Sequence, residues 1–72
     1  MDKSTLIYNT LEGLSNAEPQ EFAQIRQDLY NRLGLTFEQQ TALYTSVLGP
    51  AGAGKITDIN NAVESACQIL GE

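Results

Sequence analysis

Residues 43–55 read LYTSVLGPAGAGK, and the fold turns on whether the first half of that run coils or extends. Gly49, Gly54 and Lys55 have the G-x-x-x-x-G-K spacing of a phosphate-binding loop. In such a loop a strand leads into glycines whose backbone N–H groups wrap phosphates at the start of a helix, and a following Ser or Thr holds magnesium. Here Ile56 stands in the hydroxyl position and Thr57 comes one place late. Only 17 residues follow Lys55, too few for a parallel sheet and a second acidic metal site. Leu43, Tyr44, Val47 and Leu48 recur at helical intervals, where the motif needs a strand. The run therefore reads as a helix followed by a glycine-rich connector.

Working outward, three more amphipathic segments appear, and the four together predict an all-α fold, a small four-helix globular bundle with short connections. The expected helices cover about 4–15, 19–33, 36–48 and 57–70, within one domain spanning 1–72. The first has Ile7, Leu11 and Leu14 on one side, with Asp2 or Ser4 able to cap it. The second carries the stripe Phe22, Ile25, Leu29 and Leu33, starts at Pro19 and stops at Gly34. The third opens with a capping box, Thr36 to Gln39, and offers Phe37, Leu43, Tyr44, Val47 and Leu48 as its apolar face. Gly49-Pro50 is expected to end it. The fourth buries Ile56, Ile59, Val63, Ala66 and Leu70 behind a Thr57 cap, with Cys67 at the edge of the stripe.

Composition narrows the function. Nine acidic against four basic residues give a formal charge of −5, and Lys3, Arg26, Arg32 and Lys55 are scattered. A dense positive face for phosphates is missing, so nucleic acid is not an expected partner. The single cysteine, Cys67, excludes an internal disulfide, and without histidine no structural zinc site is expected. No run is long and apolar enough for a signal peptide or a membrane span, so a cytoplasmic, reducing setting is expected. Cofactors are not expected, and neither is catalysis, because a nucleophile would have to find its base among scattered carboxylates and lysines.

Two resemblances reach part of the chain. Residues 25–48 resemble the opening of a repressor-type helix-turn-helix, which implies DNA binding. The segment TDINNAVES, where a basic recognition helix would be needed, has neither arginine nor lysine. Length, acidity and helix count also resemble acyl carrier proteins, whose second helix opens with a modified serine. Here the second helix opens Glu18-Pro19-Gln20-Glu21-Phe22.

By elimination the chain reads as a small non-enzymatic protein-binding module, such as an adaptor, inhibitor, chaperone or regulatory subunit. Its partner would be another protein or a second copy of itself. Tyr8, Arg26 and Tyr30, at the margins of the apolar stripes, are the candidate contact residues, being of the types that anchor interfaces. The alternatives are a helix-turn-helix-like DNA-binding regulator and a cryptic nucleotide or anion site at the Gly49–Lys55 loop. For the loop, millimolar ATP with magnesium is expected to leave the melting temperature unmoved, and a clear upward shift would restore the phosphate-loop reading.

Overall fold

The computed structural model describes residues 2–71, and among them there is no strand. Helix α1 runs Lys3–Asn16, a 3₁₀ turn Pro19–Glu21 leads into α2, Phe22–Leu33, and α3 spans Phe37–Leu43. A π turn, Tyr44–Leu48, joins α3 to the short α4, Gly49–Gly52, and α5 covers Ile59–Ile69. Because Tyr44, Leu48 and Gly49 all keep right-handed helical angles, α3, the π turn and α4 form one continuous rod. The architecture is four helical rods, as the periodicity predicts.

Local chemistry accounts for most of the boundaries. The Asp2 carboxylate accepts from the Thr5 N–H at 2.8 Å and from the Ser4 hydroxyl at 2.9 Å. Those bonds, the Thr5 backbone donor foremost, hold its carboxyl below the usual value of 3.8. The chain then extends at Ala17 and Glu18 and restarts at Pro19, whose missing N–H costs nothing in a first turn. Gly34 closes α2, with the Leu35 N–H donating to the Tyr30 carbonyl at 3.2 Å. Thr36 and Gln39 exchange the expected pair of capping bonds, 3.2 and 3.0 Å. Helix α5 departs by one residue: Asp58, not Thr57, caps it, accepting from the Asn61 N–H at 3.2 Å.

The core is one cluster: Ile7, Leu11 and Leu14 from α1; Leu29 and Tyr30 from α2; Leu43, Val47, Leu48 and Ala51 from the third rod; Ala62 and Ala66 from α5. Helix α1 is its centre, since it packs against α2, α4 and α5. Leu6, Phe22, Ile25, Ile59, Val63 and Leu70 are among the half-buried side chains that close the margin.

The third rod differs from the sequence expectation in two linked ways. Gly49-Pro50 does not end it. The helix continues through both residues, because the turn before them widens from i→i−4 to i→i−5 bonding: the Gly49 N–H donates to the Tyr44 carbonyl. Pro50 has no N–H to give the Ser46 carbonyl, so a regular ladder would break here anyway, and the widened turn falls at that gap. The close approach favours glycine, since a Cβ at position 49 would lie 3.0 Å from the Tyr44 backbone oxygen.

The second difference is which residues are buried. At about 100° per residue, Leu48 would point roughly 140° away from Leu43 on a regular helix, and Ala51 about 80° away. One extra residue in the turn sets everything after it back by about 90°. Leu48 and Ala51 thereby return to Leu43's side and are fully buried. Phe37 and Tyr44 precede or begin that correction, about 100–120° off the buried line. They lie on the surface, 80% and 45% exposed, rather than in the apolar face expected of them.

Gly49→Ala is therefore expected to lower stability by about 1–3 kcal/mol, since the Cβ meets backbone that cannot swing aside. Gly13→Ala, in open space within α1, should instead raise stability by about 0.5–1 kcal/mol. Chemical denaturation of both variants checks the contrast, and a stabilised Gly49→Ala would refute the account of the π turn.

Candidate functional site

The most exposed large apolar side chain follows directly from the capping box. Thr36 starts α3, so Phe37 occupies its first turn, where no neighbouring rod covers it. Tyr44 stands about two turns further along the same side. From α2, Arg26 reaches across so that its guanidinium carbon lies 4.8 Å from the centre of the Tyr44 ring. At that distance the cation faces the ring's negative quadrupole, worth about 0.5–1 kcal/mol where solvent has access. The Gln40 amide donates to the Leu35 carbonyl at 3.1 Å, which holds that side chain against the α2–α3 turn. Arg26, Tyr30, Phe37, Gln40, Thr41 and Tyr44 together line a shallow cleft between α2 and α3. On the other side of Phe37 and Thr41 a second recess, mostly carbon-lined, is walled by Ala42, Thr45 and Ser46.

The candidates read from the sequence fall out differently. Arg26 belongs to this cleft and is half-buried. Tyr30 also lines the cleft but is only 8% exposed and belongs to the buried cluster, so it is a core residue and not the surface anchor expected. Burial pushes its phenol above the usual value of 10.0, with the neighbouring Arg26 working in the opposite direction. Tyr8 is half-buried in a separate cleft between α1 and α5, with Ser4, Thr5, Asn60 and Val63, so it does not join the other two. Phe37 and Tyr44 were missed as surface residues because a regular helix places them with the core. The legible signal was the proline at 50.

The Gly49–Lys55 segment does not have the backbone geometry of a phosphate cradle. The Lys55 N–H donates to the Pro50 carbonyl at 2.9 Å and the Gly54 N–H to the Ala51 carbonyl at 3.2 Å, with Gly54 at φ 73. This paired arrangement closes the end of α4. The donors that would wrap a phosphate are spent on carbonyls, at the negative end of a helix rather than the positive one. Gly52 is small for packing, since a Cβ there would lie 3.2 Å from the Phe22 ring.

The basic residues assemble no field either. Arg32 pairs with Asp28 at 2.9 Å and Arg26 is turned onto Tyr44. Among the described residues no group of three or more cysteines and carboxylates is placed to hold a metal ion, and no helix is long and apolar enough to cross a membrane.

Residues 3–72 match the family model described as Pas factor saposin fold. The chain belongs to that family. Its members share a small, all-helical, saposin-like fold, which is the architecture described above. Among curated proteins no sequence match is found. In this saposin-fold chain the exposed aromatic pair, with Arg26 stacked on one of its rings, is the most distinctive surface feature.

The buried phenol gives a measurable consequence. Tyr30 has its folded value raised, so its contribution to stability is complete below the unfolded value near 10 and is lost as pH climbs through the folded one. Alkaline destabilisation should begin near pH 10, and Tyr30→Phe should flatten it. Melting temperatures of both proteins between pH 7 and 11.5 test this; parallel decline in the two would remove Tyr30 as the cause.

Proposed function

We propose that this saposin-fold chain is a non-enzymatic protein-binding module, an adaptor, inhibitor, chaperone or regulatory subunit, whose contact face is the α2–α3 surface around Phe37 and Tyr44. The observation that carries the reading is Phe37: it is 80% exposed while the buried cluster closes without it. An aromatic side chain held in water by an ordered first turn is costly unless something covers it, and aromatics with arginine are enriched where proteins meet. Arg26 and Gln40 support the face by holding Tyr44 and the α2–α3 turn in place. Tyr8 lies outside it, and Tyr30 serves it from beneath.

The absence of histidine and the scattered carboxylates favour binding over catalysis. An acidic chain without a basic collar is poorly suited to anionic lipid or nucleic acid. A reducing, cytoplasmic setting accompanies this proposal, supported by the lone Cys67 thiol.

The test is the double variant Phe37→Ala/Tyr44→Ala. Both side chains are exposed, so its helicity and melting temperature should stay close to the parent's, while capture of binding proteins from native lysate should fall tenfold or more, on the order expected for interface anchors. Tyr30→Ala should instead act through the fold, losing about 3 kcal/mol of stability. Undiminished capture by the double variant would remove this face from the proposal.

A further inference from the structure

We propose that the occupant of this face is a segment of a basic partner protein that sets a large apolar side chain between a carboxylate and a cation. The inference rests on the protein-binding reading of the same surface and states the partner's chemistry. Phe37 and Thr41 line both the cleft toward α2 and the carbon-lined recess on the other side, so they form a ridge between the two. Arg26 belongs to the cleft alone and Glu38 to the recess alone. The two flanks of the ridge thus carry opposite charges, with neutral side chains between them. A segment that straddles the ridge meets Arg26 with one edge and Glu38 with the other, and its apolar centre covers the Phe37 ring.

Neither charge is answered within the chain. Arg32 is paired with Asp28 at 2.9 Å, whereas among the described residues neither Arg26 nor Glu38 has an opposite charge within ion-pair distance. Arg26 is half-buried, and stacking on Tyr44 occupies a face of its guanidinium while leaving N–H donors in its plane for a carboxylate. In an aromatic cleft that a partner closes to water, that pair is stronger than one on the open surface. Glu38 is exposed, so its pair contributes orientation more than affinity. Net charge decides the rest of the partner. A chain at −5 repels an acidic protein or a second copy and draws in a basic one. The carboxylate opposite Arg26 therefore stands within an otherwise positive contact surface.

The probe is a displayed library of random peptides about 16 residues long, selected on the folded chain and counter-selected on Phe37→Ala/Tyr44→Ala. Enriched peptides should carry a large apolar residue flanked by an acid and a base, within a net positive charge. A synthetic peptide of that sequence should lose about tenfold in affinity for Arg26→Gln and about threefold for Glu38→Arg, with circular dichroism unchanged in both. Glu38→Arg changes an exposed side chain and leaves the Thr36–Gln39 capping bonds in place, so it reports on the contact even where Arg26→Gln loosens the fold. Binding should weaken as salt is raised. Proteins captured from native lysate should be basic and be displaced by the peptide.

Failure to enrich any peptide, peptides without the acid, or an affinity indifferent to both charge variants overturns the inference. So do captured proteins of net negative charge, a peptide affinity that rises with salt, or a chain that covers the face by binding itself in sedimentation equilibrium. If capture from lysate still falls with Phe37→Ala/Tyr44→Ala in any of those cases, the partner's chemistry fails while the protein-binding reading stands. If neither the peptides nor the captured proteins depend on Phe37 and Tyr44, both fail.

Discussion

The structure depends on a backbone donor that is missing. Pro50 has no N–H, and a regular helix reaching it would leave the Ser46 carbonyl without a partner and press the proline ring against it. The rod answers by widening one turn, passing the Gly49 N–H to the Tyr44 carbonyl. That single change of bonding step rotates everything beyond it. Leu48 and Ala51 come round to join Leu43 and Val47 in the buried cluster, and the core closes. The same rotation leaves Phe37 and Tyr44 on the far side, in water. Core completion and surface exposure are two consequences of one turn, and widened turns of this kind are frequent at functional sites.

The glycines around it show how one spacing can serve opposite ends of a helix. In a phosphate loop the N–H groups point outward at the beginning of a helix, where the dipole is positive. Here those of Gly54 and Lys55 point back at the carbonyls that finish one. The chemical groups are the same and the polarity is reversed, so the anion site vanishes and a helix stop takes its place. Each glycine has its own structural reason: a backbone oxygen beside Gly49, the Phe22 ring beside Gly52, and a left-handed angle at Gly54.

Most of the fold was legible in the sequence because its signals are local. Apolar spacing located Ile7, Leu11 and Leu14 in the core, and capping rules located Thr36 with Gln39 and the stop at Gly34. The third rod was misread in detail because a helical wheel assumes a constant angle per residue, and this rod changes its angle between Tyr44 and Leu48. Its apolar face therefore looked broad enough to include Phe37. Tyr30 was misplaced for a different reason. Its angle on α2 is marginal, and only tertiary packing decides that a marginal position becomes a buried one. The aromatic face was thus invisible to periodicity.

A core of this size explains why an uncovered face matters. Three of its eleven buried residues are alanines, and the remainder are drawn from a chain of 72, so little apolar area is left unspent for stability. Turning Phe37 inward would add area to the core, yet its place in the first turn of α3 is already determined by the Thr36–Gln39 capping box at one end and the Leu43 packing at the other. The ring is outside because both neighbouring constraints are stronger than its own preference for burial. Covering it from outside is the remaining way to remove it from water.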